Sequence, residues 1–347
     1  MESNAPKNGH DIIVIGASAG GVEALAALAQ GLPADLPAAV FVVLHVPAFA
    51  PSVLPAILSR KGPMPARHPS DGESIRPGHI YVAPPDHHLL VEAGRVGLSR
   101  GPTENGHRPA VDVLFRTAAR AYGPRVIGVV LSGALDDGTA GLQAVKMRGG
   151  LAVVQDPEEA LFSSMPRSAL ENVAVDQILT LAALGPALAD LARTPAPAES
   201  EYPMPDRIQT ESEIAEMDMA AIESRRDGTP SEFTCPDCHG SLWEVQEGEL
   251  VRYRCRVGHA YSPDSLLASQ VEGLEAALWI ALRALEESAA MARRMGERAG
   301  QRGHVLLAVR FGQQAEDAHQ RAAIIRQALA HEQAEAARGD DPSSLAP

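Results

Sequence analysis

Gly16-Ala17-Ser18-Ala19-Gly20-Gly21 separates the apolar run Ile12-Ile13-Val14-Ile15 from the helix-forming run Val22 to Leu28. Strand, sharp turn and helix in that order constrain the fold more than any other feature of the chain. The glycines admit a turn where side chains would clash. The turn fits a G-x-S-x-G nucleophile elbow, with Ser18 at its apex and the N–H groups and positive dipole end of a helix behind it. It also lies close to the dinucleotide fingerprint G-x-G-x-x-G. Ser18, however, stands where the second glycine would admit a pyrophosphate. The second strand, Phe41-Val42-Val43-Leu44, then ends in His45 and not in a ribose-binding carboxylate. A nucleotide site gains little from that histidine, whereas a serine hydrolase needs one.

Short β-branched runs alternate with Ala/Leu-rich stretches from residue 11 to about 194. Strands are predicted at Ile12–Ile15, Val40–Leu44, Ile80–Val82, Val126–Leu131, Ala152–Val154 and Val173–Asp176. Helices are predicted at Val22–Leu28, Ser52–Ser59, Val111–Ala121 and Leu142–Arg148. This alternation predicts an α/β fold, a doubly wound, mostly parallel sheet. Leu89 to Leu98 departs from it and reads as an antiparallel hairpin turning at Ala93-Gly94. The catalytic unit is expected over residues 1–194 and an acidic Pro/Ala linker over 195–230, with a marginal helix at Glu211 to Glu223. A small cysteine-bearing unit at 231–261, a helical hairpin or coiled coil at 262–338 and a disordered tail at 339–347 complete the chain.

The 347 residues carry a net charge of −14, which argues against nonspecific nucleic-acid binding and against anionic membrane surfaces. No apolar run approaches the ~20 residues of a membrane span, and Met1 to His10 is polar, so membrane insertion and a signal peptide are not expected. The three cysteines all fall between Cys235 and Cys255, an odd number that suits a reducing cytoplasm better than a disulfide framework.

Ligands of doubly wound sheets bind beyond the carboxyl ends of the strands. Ser18 follows the first strand, His45 the second, and Asp136-Asp137 follow Val129-Val130-Leu131. Taken singly, each is an ordinary turn or strand-end residue. Together they make a Ser-His-Asp set in an order unlike that of the α/β-hydrolases, and such sets are recognised by geometry, not by order. His87, His88, His107 and Arg108 are candidate substrate-side groups, His87 reading more simply as a solvated loop residue.

Five segments in sequence order resemble the CheB-type chemotaxis methylesterases. They are Ile15 to Gly21, His45-Val46-Pro47, His107 to Phe115, Leu131 to Gly141, and Gln155-Asp156-Pro157 leading to Ser164-Met165-Pro166. The resemblance covers about residues 11 to 190. It implies a serine hydrolase that removes methyl groups from glutamate γ-methyl esters of chemoreceptors, with glutamine deamidation as a companion reaction and no catalytic cofactor. It assigns Ser18 as nucleophile, His45 as base and Asp137, not Asp136, as acid. The substrate and oxyanion region would involve Ala19, Gly20, Ala134, His107 and Arg108. Ala19 and Ala134 replace the Thr and Met of enteric relatives. Those relatives also carry a receiver domain, for which about ten residues ahead of the first strand leave no room. Control by phosphorylation within this chain is therefore not expected. Two other readings stay open: a catalytically weak scaffold that binds signalling partners through its C-terminal region, and a hydrolase of another ester or amide.

Cys235-Pro236-Asp237-Cys238 and Cys255-Arg256-Val257-Gly258-His259 are knuckles joined by an expected hairpin turning at Glu247-Gly248. Cys235, Cys238, Cys255 and His259 have the donor set of a closed, structural Zn²⁺ site. His239 is a weaker alternative ligand. Such a unit is too small to fold without metal and is expected to be separable from the chemistry. Ser262-Pro263-Asp264 caps a helix, and Leu267, Val271, Leu274, Leu278, Leu282 and Leu285 recur at spacings of three and four. That stripe serves either a self-packed hairpin or association of two chains.

Overall fold

The structure, a computed structural model, describes residues 9–218, 228–247 and 250–339. Part of the acidic stretch, Gly248 of the expected hairpin turn and the tail after Gly339 fall outside them. Two compact units divide at residue 267. The first is built on β1 (Ile12–Ala17), α1 (Gly21–Gly31), β2 (Ala39–Leu44), α2 (Leu54–Lys61), β3 (Ala66–Arg67) and β4 (Ile80–Val82). A hairpin, β5 (His88–Glu92) and β6 (Arg95–Ser99), interrupts the series. It resumes with α3 (Val111–Tyr122), β7 (Val126–Val130), α4 (Thr139–Met147), β8 (Leu151–Gln155), α5 (Ser164–Asn172), β9 (Gln177–Leu179) and α6 (Leu181–Leu191).

The main sheet runs β3-β4-β2-β1-β7-β8-β9, every pairing parallel. Side chains of β1 alternate between two cores. Ile12 and Val14 join Phe41, Tyr81, Leu114 and Phe115 on one face; Ile13 and Ile15 join Leu25, Leu28, Leu58 and Leu184 on the other. Burial on both faces explains why these strands read as unbroken apolar runs. The chain moves outward from β1 to β2 and returns beside β1 as β7. The sheet order therefore reverses at β1, where a crevice opens at the carboxyl ends. At the opposite end, Gly9 bridges Pro195 in antiparallel fashion.

The predicted hairpin forms with Val91 opposite Val96. The strand expected at Val173–Asp176 lies instead at Gln177–Leu179, because α5, which carried no helical assignment, ends only at Asn172. The part of the predicted linker up to residue 218 is structured. Arg148 binds Glu199 and the Tyr202 carbonyl, and α7 (Asp206–Ala215) packs on α3. Among the described residues of the acidic segment helix runs to Ala215, and residues 219–227 lie outside the described ones.

An antiparallel sheet follows in the order β10 (Thr229–Thr234), β11 (Ser241–Glu247), β12 (Leu250–Cys255) and β13 (Ala260–Tyr261). It is joined to the catalytic layer by a buried ion cluster. Arg116 of α3 and Arg252 and Arg254 of β12 converge on Glu104 and on Glu211 of α7 at 2.6–3.4 Å. Burial would raise the Glu104 carboxyl, but the three guanidinium groups hold it at about 2. The small sheet is packed into the first unit and not tethered beside it. Its arginines complete ion pairs inside the catalytic layer. In the second unit, α8 (Pro263–Gln301) and α9 (Val305–Gly339) pair through Leu282, Ala322 and Leu329, and Gly303 turns between them with a φ of 75°. No helix among the described residues is long and apolar enough to cross a membrane.

Candidate active site and metal centre

Three chain segments end at the reversal point. Ser18 leaves β1, and its N–H donates to the Ser132 carbonyl (3.0 Å) in the loop after β7. Gly20 adopts a φ of 71° and a Cβ there would lie 2.8 Å from Ser132 Oγ, so glycine is required for the elbow to turn. His45 leaves β2, and its N–H donates to the Ala17 carbonyl (3.2 Å). Asp137 lies in the loop that connects β7 to α4.

The side chains meet in a line. His45 Nδ1 is 3.1 Å from Ser18 Oγ, and His45 Nε2 is 2.7 Å from Asp137 Oδ2. A carboxylate accepts only, so the imidazole proton resides on Nε2 and the Nδ1 lone pair faces the serine hydroxyl. Asp137 is buried and takes three further donors. The Val111 N–H reaches Oδ2 (2.7 Å), while Asn105 Nδ2 (3.0 Å) and the Asp112 N–H (3.2 Å) reach Oδ1. Two of those donors are the free N–H groups of the first turn of α3, where helix ends favour anions. Burial opposes the charge on Asp137, yet these bonds, led by that of His45, hold its carboxyl well below the usual range.

His107 stacks flat on His45, ring centroids 3.7 Å apart. Burial first, and His45 second, lower its imidazole to about 4, so it is neutral at pH 7 and packs its ring face on that of His45. Arg108 forks Asp86 (2.6 and 2.9 Å) and donates to the Gly101 carbonyl (2.9 Å), which anchors the loop in front of the histidines. His45, Pro47, Asp86, Thr103, His107 and Arg108 line a cleft of about 420 Å³. His88 is not substrate-facing. It is fully buried and ties the Pro102 carbonyl (2.9 Å) to the Ala110 N–H (3.3 Å). His87 bonds the Pro85 carbonyl (3.0 Å). The N–H groups of Ala19, Gly20 and Ala134 take no backbone acceptor among the described residues.

Sequence reasoning missed Asn105 and Asp112. Asn105-Gly106 reads as an ordinary turn, and Asp112 as a first-turn helix acid. In the fold Asn105 Nδ2 bonds both Asp137 and Asp112 (3.1 Å), and Asp112 Oδ1 accepts the Gly138 and Gly141 N–H groups (3.0 and 2.7 Å). Burial and the charge of Asp137 push the Asp112 carboxyl up to about 7. Asp136 faces away from His45 and accepts hydrogen bonds from Ser262 (2.7 Å) and Ser265 (3.0 Å).

The chain also brings together a second constellation. The ligand atoms of Cys235, Cys238, Cys255 and His259 lie within 4.8 Å of one another. Bonds of about 2.3 Å to sulfur and about 2.0–2.1 Å to nitrogen set the corners of a tetrahedron roughly 3.5–3.8 Å apart. His259 Nδ1 is 3.6 Å from Cys235 Sγ and 3.5 Å from Cys255 Sγ, and Cys238 Sγ is 3.6 Å from Cys255 Sγ. The set can therefore hold a metal ion. His239 is exposed, on a left-handed turn residue (φ 58°), and stands outside the group.

CheB methylesterase is the family that matches this chain, over residues 13–188. The chain belongs to the CheB methylesterase family. A Leptospira interrogans protein, provisionally named protein-glutamate methylesterase/protein-glutamine glutaminase, is 41% identical over 173 residues, 50% of this chain and 90% of that one. A protein-glutamate methylesterase/protein-glutamine glutaminase of Anaeromyxobacter dehalogenans is 38% identical over 183 residues, 53% of this chain and 54% of that one. The Thermotoga maritima CheB methylesterase catalytic domain superposes with a TM-score of 0.51 at 34% identity, covering 52% of this chain and 98% of that domain. The likeness to these CheB proteins takes in β1 to α6; the cysteine-bearing sheet and the paired helices lie beyond the family match.

Proposed function

We propose that this chain hydrolyses glutamate γ-methyl esters on chemoreceptors, and glutamine side-chain amides by the same route. The observation that carries this reading is the unbroken line from Ser18 Oγ through His45 to Asp137 Oδ2. As Ser18 attacks the carbonyl carbon, its proton passes to His45 Nδ1. Asp137 keeps the other ring proton on Nε2 and stabilises the imidazolium. The N–H groups of Ala19, Gly20 and Ala134 are the candidate donors to the oxyanion, with the first turn of α1 behind them. His45 returns its proton to the departing methoxide, which leaves as methanol, or to the departing amine, which leaves as ammonia. Water then adds to the acyl-serine, giving its proton to His45, and Ser18 recovers that proton as it leaves. The cleft is open, and Phe49, Val53, Leu161 and Phe162 are exposed in the segments after β2 and β8. An apolar rim of this kind suits an ester carried on a protein surface better than a free metabolite.

Cys235, Cys238, Cys255 and His259 would hold zinc, whose contribution when bound is to folding. The deciding measurement is methanol release from methylated chemoreceptor. Ser18→Ala should abolish it, and turnover equal to wild type would refute the assignment.

A further inference from the structure

The cysteine-bearing sheet touches the catalytic loops at three places. Asp237, between the two cysteines of the first knuckle, accepts hydrogen bonds from Thr103 and Tyr261. Ala260, next in sequence to the ligand His259, accepts the Asn105 N–H (2.7 Å) and donates to the Thr103 carbonyl (3.3 Å). Ser262 completes the set, because its N–H donates to Asn105 Oδ1 (2.9 Å) and its hydroxyl to Asp136 Oδ1 (2.7 Å), with Ser265 joining at 3.0 Å.

These contacts fall on Asn105 and on Asp136, the neighbour of Leu135, and both Asn105 and Leu135 have left-handed backbone. Asn105 has a φ of 53° and Leu135 a φ of 60°. Left-handed backbone is tolerable for asparagine and unfavourable for leucine, and it persists where surrounding contacts over-determine it. Leu135 immediately precedes the Asp136-Asp137 pair. The sheet thus grips one side of the loop that carries the acid, and through Asn105 it grips the acid itself. The route from metal ligand to triad is short: His259, Ala260, Asn105, Asp137.

We propose that the Cys/His unit is a positioning element of the hydrolase, holding Asn105, and through it the Asp137 carboxylate, at the geometry that orients His45. Asn105 and Ser262 are positioning residues, since Asn105 reaches the reacting atoms only through Asp137, and Ser262 only through Asn105 and the loop that carries Asp136 and Asp137. Metal occupancy then governs turnover without taking part in it. The inference rests on Asp137 serving as the acid of the triad.

The test uses the full chain and two readouts, p-nitrophenyl acetate hydrolysis and the downfield proton resonance of the His45 Nε2–H bonded to Asp137. The resonance is read without turnover, so it reports on the link even if Ser18→Ala leaves hydrolysis intact and the esterase assignment falls. Asn105→Ala and Cys238→Ser should each lower kcat about 10- to 100-fold, the cost of a catalytic group displaced by about an ångström. KM should stay within about twofold, and the resonance should broaden or move. Stripping zinc with a chelator should move the resonance in the same way, and restoring zinc should reverse it. Ser262→Ala should reproduce part of the loss, and Ser262→Thr, which keeps the hydroxyl, should rescue it. Wild-type kcat and an unmoved resonance in Cys238→Ser and Asn105→Ala would overturn the proposal. So would a Ser262→Thr variant as impaired as Ser262→Ala.

Discussion

In the proposed mechanism Ser18, His45 and Asp137 act as one device, so their removal should not be additive. Ser18→Ala, His45→Ala and the double variant should lose nearly the same activity, several orders of magnitude in kcat. Asp137→Asn should cost about 10⁴-fold, because an amide in place of the carboxylate no longer fixes the proton on Nε2. Kinetics on methylated receptor would read all four. Asp136→Asn keeps an acceptor for Ser262 and Ser265 and should cost far less. His107 carries a prediction about pH. Its imidazole titrates near 4 in the fold against about 6.5 unfolded. Between those values the unfolded chain binds a proton there that the folded chain refuses, so stability rises with pH across that window. The contribution lost on acidification approaches ~3 kcal/mol at pH 4. Urea titrations from pH 7 to pH 4 should show a shallower decline in His107→Phe, whose ring can still stack on His45.

At the scale of elements, β12 is the one whose loss should be felt furthest. Arg252 reaches Glu104 (3.0 Å) and Glu211 (3.3 Å) within a buried cluster. Removing one partner of a buried ion pair typically costs about 3–5 kcal/mol. Arg252→Ala should therefore lower the urea midpoint markedly although residue 252 lies far along the chain from the triad. The positions of β1, β2, β7 and the β5–β6 hairpin were legible because each is a short apolar or alternating run flanked by turn residues. The elbow and the spacing of Ser18, His45 and Asp137 were legible for the same reason: carboxyl ends of parallel strands converge. What escaped was pairing across distance. Nothing near Glu211 marks it as buried, since its acidic neighbours suggest a solvated helix and its partners lie on other elements. Asn105 escaped likewise, because a left-handed Asn-Gly pair looks the same whether or not its amide meets a carboxylate. Short β3 and the N-terminus of α5 lack periodicity long enough to read.

For the whole molecule, the boundary that matters lies after residue 267 and not before residue 231. A chain cut after Leu267 keeps Arg252, Arg254, Ser262 and Ser265, and should hydrolyse p-nitrophenyl acetate at close to the full-length rate. A chain cut before Phe233 takes Arg252 and Arg254 away from Glu104 and Glu211 and should be much less stable in urea and slower. The paired helices leave Val271, Leu274, Trp279 and Ile280 exposed on α8. Light scattering should accordingly give a larger particle for the full chain than for one cut after Leu267, beyond the difference in mass. The bridge between Gly9 and Pro195 closes the catalytic layer at the amino ends of its strands, while Ser18 sits past the carboxyl end of β1. A surface tether joined ahead of Gly9 therefore attaches on the side away from the cleft. Enzyme immobilised in that way would present its active face outward and stay accessible to substrates as large as a receptor.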